Sequence, residues 1–314
     1  MRPILTLTPN PALDLSTATA FVAPGQKLRC QAPRVDPGGG GVNVSRAILQ
    51  LGGASRALVA LGGANGAALS EALRAQGLDF IAFAGPGDTR QSFAVTDISS
   101  NAQYRFSTPG PDWAEADVAR YLTAVEDALL PEALCVFSGS APPGAEGTML
   151  PSLRDLMRER GAQFLVDTSG AALSQMAETG AGPDILRMDQ AEAEFLAGGP
   201  LADRAAAAQF ARHLTRAAQT VIIAMGPDGS VLADRGGALW HAGGADVPVV
   251  SKIGAGDSFV GGYALSIARG AAPQIALQYG MAAASGAVMT PGTELCHAKD
   301  VVRLVSACPL TDLS

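Results

Sequence analysis

Short runs of consecutive apolar residues recur along the chain, each followed by a longer stretch with helical spacing. The runs are ILTLT (4–8), SRALVAL (55–61), LCVFSG (134–139), QFLVDT (163–168), DILRM (184–188) and TVIIAMG (220–226). A strand with one wet face alternates apolar and polar residues. A strand that is apolar at successive positions has both faces covered. Between these runs, VNVSRAILQL (42–51), ALSEALRAQ (68–76), 148–160 and 203–218 carry helical periodicity, and 256–308 reads as three helices. Buried strands separated by helices predict a parallel sheet sandwiched between helical layers. With 314 residues, 48% hydrophobic and 16% charged, the chain can fill such a core as one large α/β domain spanning 1–314.

Two stretches break the rhythm. Residues 15–36 and 90–108 alternate apolar and polar positions. They predict antiparallel strands of a small sheet standing off the main one, with an apolar face that a ligand cleft or a second subunit must cover. A net charge of −7 argues against a nucleic-acid-binding or membrane-surface protein, which needs a broad basic face. Cys30, Cys135, Cys296 and Cys308 form no C-x-x-C pair, and His213, His241 and His297 lack zinc spacing, so free thiols in a reducing cytoplasm are expected. No stretch has signal-peptide or membrane-span character.

Chemistry concentrates in two glycine-rich turns. In PGGGGVNVSR (37–46), four glycines precede a helix, where backbone and free N–H groups can approach a ligand. In SKIGAGDSFVGG (251–262), Gly254 and Gly256 allow amides to converge at a helix start, beside Asp257. Such amides suit the charge that gathers on a transferring phosphoryl group, and a carboxylate there can accept a proton from an attacking hydroxyl. Asp257 can equally be read as a plain helix cap. Val44 and Phe259 stand where a dinucleotide fingerprint requires its third glycine, and there is no P-loop, which disfavours a nucleotide-dependent oxidoreductase.

Taken together, GGGGVNVSRA and IGAGDSFVGG resemble the two signatures of the PfkB (ribokinase-like) family of sugar kinases. TLTPNPALD (6–14), GQKLRC (25–30), TRQSF (89–93), QYRF (103–106), SGSAPPG (138–144), VDTSG (166–170), GPDG (226–229) and PGTELC (291–296) resemble its phosphofructokinase branch in order along the chain. The resemblance implies a three-layer α/β/α domain with a mainly parallel central sheet and a small β lid, dimeric through that lid. It implies ATP-dependent phosphorylation of fructose 6-phosphate at C1. 1-Phosphofructokinase, tagatose-6-phosphate kinase and a weakly active sugar-phosphate-binding relative remain the alternatives.

By the same resemblance Asp257 is the general base, and Gly254, Ala255 and Gly256 form the anion hole. Asp14, Gly39, Gly40, Asn43 and Ser140 contact the sugar, and Lys27 and Arg90 hold its phosphate. Ala224, Met225, Gly226, Pro227, Asp228 and Gly229 form the nucleotide loop, with Met281 and Ser285 on the adenine side. Glu192 organises Mg²⁺ through water. Ser251, Ile253, Ala287, Thr290 and Gly292 fall where some members bind K⁺. Plainer readings stand beside several of these: Lys27 as a solvated edge charge, Arg90 paired with Asp88, Glu192 facing water, and Met281 as core.

One segment departs from the family. Its usual Lys-Pro-Asn-x-x-Glu is RMDQAE (187–192) here, so Arg187 and Asp189 occupy the nucleotide-side positions of a lysine and an asparagine. Arginine is planar and bulkier than lysine, and Asp189 adds a negative charge near the metal and ATP. Glu294 likewise replaces an arginine beside the K⁺ loop.

Overall fold

A computed structural model describes residues 1–314. The first half contains β1 (Ile4–Thr8), β2 (Ala12–Thr19), β3 (Arg34–Gly38), α1 (Gly40–Gln50), β4 (Arg56–Leu61), α2 (Gly63–Ala75), β5 (Phe80–Ala84), β6 (Arg90–Asp97), β7 (Gln103–Ser107) and α3 (Glu115–Ala128). Next come β8 (Leu134–Ser138), α4 (Met149–Arg160), β9 (Gln163–Asp167), α5 (Gly170–Met176), β10 (Ile185–Asp189), α6 (Gln190–Ala197), α7 (Arg204–Leu214) and β11 (Thr220–Ala224). The chain ends with β12 (Ser230–Asp234), β13 (Leu239–Ala242), α8 (Ala255–Ala268), α9 (Pro273–Ala287), α10 (Ala298–Leu304) and β14 (Leu310–Asp312). No helix is long and apolar enough to cross a membrane.

Ten strands form one sheet in the order β14-β13-β12-β11-β10-β9-β8-β1-β4-β5. Every neighbouring pair from β11 to β5 is parallel, and β12, β13 and β14 add an antiparallel edge. The consecutive apolar residues of the strands divide between two cores. In β8, Cys135 and Phe137 enter the cluster beneath α3, α4 and α7, while Leu134 and Val136 enter the cluster beneath α1, α8 and α9. That division is the three-layer arrangement predicted from the runs.

Helix α8 is buried from Ser258 through Ser266, on all sides. Its paired glycines let neighbouring helices close in. A Cβ on Gly261 would lie 2.8 Å from Ala47 Cβ of α1, and one on Gly262 would lie 2.9 Å from Ala283 Cβ of α9. The GG of SFVGGYA is therefore packing, and it seats α8 against the helix that follows the other glycine turn.

The smaller sheet has the order β3-β2-β6-β7. Pairing inside each of the two stretches is antiparallel, as expected, but the stretches join through the parallel pair β2–β6. An intervening α1-β4-α2-β5 excursion gives the chain length to re-enter in the same direction, which a short hairpin cannot do. The strand expected across 15–36 is also interrupted: 20–33 is irregular between β2 and β3.

Candidate active site

A cleft of about 640 Å³ opens at the carboxyl ends of β8, β9 and β10, under the small sheet. In an open parallel sheet the crevice outside the strand ends is where ligands are expected, because loops and helix N-termini converge there. The walls include Asp14, Gly39, Gly40, Asn43, Arg90, Ser140, Arg187, Glu192, Ile253, Gly254, Gly256 and Asp257. The two glycine turns thus share one cavity.

Each turn has a steric reason for its glycine. A Cβ on Gly40 would lie 2.5 Å from the Ser138 carbonyl carbon, so the start of α1 rests directly on the end of β8. Gly254 has φ +77° and caps α8, and a Cβ there would meet Leu295 Cδ2 at 2.6 Å. The backbone N–H groups of Ala255, Gly256 and Asp257 find no partner within the protein, as at the start of any helix. Gly256 and Asp257 line the cleft, where free helix-start amides make an anion site, and Ala255, between Gly254 and Gly256, is not itself on the wall.

Asp257 does not cap its helix. Its Oδ2 accepts a 3.0 Å hydrogen bond from Asn43 Nδ2. Burial raises its carboxyl to about 7, and nearby Asp167 pushes the same way. Asn43, Arg187 and Arg46 pull it back. A carboxyl poised near neutrality can take up a proton in one step and release it in another.

Asp167, which no sequence motif singled out beyond its place in VDTSG, anchors the opposite wall. Its Oδ1 accepts from Arg187 Nη1 at 2.9 Å and its Oδ2 from Ser138 Oγ at 3.1 Å. The Arg187 guanidinium also lies over the Phe259 ring, 5.9 Å from its centroid, and its Nε has no partner.

Asp189 caps α6. Its Oδ1 accepts from Glu192 N at 2.9 Å, and Glu192 Oε2 accepts from Asp189 N at 2.8 Å. Aspartate and asparagine serve equally as N-caps, so this substitution preserves the turn that presents Glu192. Burial and the Asp189 charge raise the Glu192 carboxyl, opposed by the Asp189 N–H and Arg187. Glu192 is half-buried and lines the cleft.

The lid contributes its polar face. Asp14, Ser92, Arg105 and Ser107 line the cleft with Arg90. Arg90 Nη1 donates to Ser107 Oγ at 2.7 Å and Nε to the Asn10 carbonyl at 3.4 Å, while Asp88 accepts from Asn65 instead. The surface pair Arg90–Asp88 is thus absent. Burial lifts the Asp14 carboxyl above its ordinary value, against the pull of Ser92, Arg90, Arg105 and Arg46. Arg105 and Lys252 also reach the cleft wall. The QYRF match pointed at Arg105 without giving it a role. Lys27 is exposed in the irregular segment and does not line the cleft of its own chain.

The loop 224–229 lies at the end of β11 and, with Met281 and Ser285, outside the main cleft walls, whereas Arg187 is on them. Ala224 and Met225 lead into a short 3₁₀ turn at Gly226, Pro227 and Asp228, closed by Gly229. Ser285 Oγ accepts from Ala245 N at 3.2 Å, and Ser230 Oγ donates to Met281 Sδ at 3.0 Å. Met281 is buried in the core cluster, which supports its plain reading as a packing residue. The oxygen-bearing set next to Gly254 is also drawn together. Ser251 Oγ donates to the Gly292 carbonyl at 3.3 Å, Ile253 N to Ser251 Oγ at 3.2 Å, and Thr290 Oγ1 to the Ala287 carbonyl at 2.8 Å. No group of His, Cys, Asp and Glu is arranged to cage a metal by itself.

Known proteins share this sequence pattern and fold. The chain is 35% identical over 302 residues to the ATP-dependent 6-phosphofructokinase isozyme 2 of Mycobacterium tuberculosis, covering 96% of this chain and 88% of that one. It is 34% identical over 303 residues to the Escherichia coli isozyme 2, at 96% and 97% coverage. It is 32% identical over 269 residues to a 1-phosphofructokinase of Xanthomonas campestris, at 84% and 83%. Crystal structures of E. coli phosphofructokinase-2 superpose closely. The potassium complex has a TM-score of 0.91 at 33% identity over 98% of this chain and 99% of that one. A tetrameric inhibited form has a TM-score of 0.90 at 32% identity over 98% and 99%. Residues 11–300 match the pfkB family carbohydrate kinases, and the chain belongs to that family.

Proposed function

We propose that the chain transfers the γ-phosphoryl group of ATP to the C1 hydroxyl of fructose 6-phosphate, giving fructose 1,6-bisphosphate and ADP. The observation that carries this is Asp257 held by Asn43 beside the free amides that begin α8, in a cleft whose lid supplies Arg90 and Arg105. A base and an anion hole alone describe many phosphoryl transfers. Cations on the lid add a site for a phosphate already on the sugar.

In this reading Asp14, Gly39, Gly40, Asn43 and Ser140 orient the sugar. Asp257 takes the C1 hydroxyl proton as the new O–P bond forms and the bond to the ADP oxygen breaks. The Gly254, Ala255 and Gly256 amides hold the equatorial oxygens in place while charge builds on them. Arg187 and the 224–229 loop bind the nucleotide, with Ser285 close by and Met281 packed behind the loop as part of the core. Glu192, on the cleft wall, would hold Mg²⁺ through water, and the bound ion would supply neutralisation of phosphate charge. That role suits a site whose carboxylates do not form a cage of their own. K⁺ suits the neighbouring loops, where Ser251, Ile253, Ala287, Thr290 and Gly292 offer neutral oxygens only.

The whole chain, 1–314, acts as one catalytic unit. In the lid, Val35, Leu15, Phe93 and Phe106 stand in one cross-strand row, on the side opposite Asp14 and Ser92. Val35, Phe93, Tyr104 and Phe106 are exposed. A second lid covering this face gives a homodimer, and Lys27, exposed beside the lid and off its own cleft, would have to reach the neighbouring subunit's cleft to hold a sugar phosphate. The cytoplasm is the compartment for a chain whose four cysteines are all free.

A coupled assay with fructose 6-phosphate, fructose 1-phosphate and tagatose 6-phosphate tests the reading. The expected result is highest kcat/KM on fructose 6-phosphate, abolished by Asp257→Asn. Preference for fructose 1-phosphate would transfer the assignment to the 1-phosphofructokinase reading that the X. campestris relative favours.

A further inference from the structure

Arg46 lies on α1, one helical turn beyond Asn43, and is only 4% exposed. A buried arginine is costly unless its donors are used. Its Nη1 donates to Asn43 Oδ1 at 2.9 Å and to the Pro37 carbonyl at 3.3 Å, and its Nε donates to Gln76 Oε1 at 2.7 Å. A continuous line of hydrogen bonds therefore runs from the end of α2 through Arg46 and Asn43 to Asp257.

The line has a fixed direction. Guanidinium has donors only, so it must face the amide oxygen of Asn43. The NH₂ group of Asn43 is then left to point at the Asp257 carboxylate. Rotated by half a turn, Asn43 would set its oxygen against the ionised carboxylate and its NH₂ against a cation. We propose that Arg46 is a positioning residue for the reaction: by holding the Asn43 amide in one orientation, it keeps the catalytic carboxylate hydrogen-bonded, aimed and ionisable. This inference rests on Asp257 being the base.

The charges around the line agree with it. Arg46 faces Asp36 on β3, Asp14 on β2 and Asp257 on α8, with Arg34 opposing. Asp36 is already engaged by Arg34 at 2.8 Å and by Thr293 Oγ1 at 2.7 Å. Asp257 in turn faces Asp167 on β9 and Arg187 on β10. Loss of Arg46 removes a cation from the Asp257 environment and frees Asn43 to turn over.

Arg46→Met, which keeps volume and removes every donor, tests this in the full-length protein. The expected result is a kcat lower by roughly ten-fold or more, from the weight of hydrogen bonds to charged groups. The acid limb of the kcat profile moves to higher pH, the KM for ATP stays unchanged, and Arg46→Lys recovers most of the loss. A folded Arg46→Met variant with native kcat and an unmoved acid limb overturns the proposal. Should Arg46→Met fail to fold, the exposed outer anchor decides. Gln76→Leu is expected to lower kcat several-fold, and Gln76→Glu, which still accepts from Arg46, to restore it. Native kcat in Gln76→Leu then overturns the proposal. Asp257→Asn separates the two levels: near-native turnover there removes the base assignment itself, whereas an inactive Asp257→Asn with an indifferent Arg46→Met removes only the role of Arg46.

Discussion

Asn43 and Asp257 stand 214 positions apart and are joined by one 3.0 Å hydrogen bond. Each belongs to a helix that starts at a glycine turn, and the helices α1 and α8 are pressed together through Gly261 and Ala47. Helix packing thus fixes the distance between Asn43 and the proposed base, Asp257. A bulkier side chain at 261 would separate them without touching either.

The pH dependence follows from Asp257. Its carboxyl is raised to about 7 chiefly by burial; as the proposed base it acts when ionised, so kcat/KM should fall as pH drops through about 7. The sign for stability is opposite. A carboxyl raised on folding favours the fold at low pH and loses that contribution as pH rises through about 7. Asp257→Asn should therefore abolish turnover yet gain stability relative to the native chain between pH 5 and 8, as read by thermal melts across that range. A melting difference independent of pH would contradict the raised pKa.

Arg90 holds no carboxylate partner and donates to Ser107 Oγ and the Asn10 carbonyl from the cleft wall. Arg90→Ala should raise the KM for fructose 6-phosphate by roughly 10- to 100-fold, the scale of charge-assisted hydrogen bonds, with little change in kcat. Arg105→Ala should shift KM in the same direction. Steady-state kinetics on the two variants checks both, and an unchanged KM would remove the lid cations from the sugar-phosphate site.

Arg187 and Asp167 form an ion pair with side chains only 12% and 13% exposed. Arg187→Met leaves Asp167 uncompensated. The expected cost is on the order of 2 kcal/mol, below that of a fully dry pair because some solvent reaches it. It also removes a cation that lowers the Asp257 pKa, so the acid limb of kcat/KM should move up. Urea unfolding and a pH profile measure the two effects. Arg187→Lys should keep most of the stability, and Asp189→Asn should leave it near native, since either residue caps α6.

The lid row of Val35, Leu15, Phe93 and Phe106 is the basis for a dimer prediction. Phe106→Glu, at a side chain 58% exposed, should cost the isolated subunit little and yield monomer in light scattering. A dimer of unchanged strength would place the subunit contact elsewhere.

The sequence alone determined the layered sheet, because runs such as LCVFS are apolar at successive positions and only a strand covered on both faces accommodates them. It also exposed both glycine turns, since GGGG and GAG are tolerable only where backbone must pass close or turn tightly. It could not say that 15–36 is interrupted, or that β2 and β6 run parallel, because strand direction depends on the path of the intervening chain. Asp167 and Arg46 were not legible either: an aspartate ending a strand and an arginine inside a helix look ordinary until the fold supplies their partners. Local periodicity is set by neighbours a few residues away and can be read from the chain. Which charge faces which is set by packing between distant segments, and that was decided only in three dimensions.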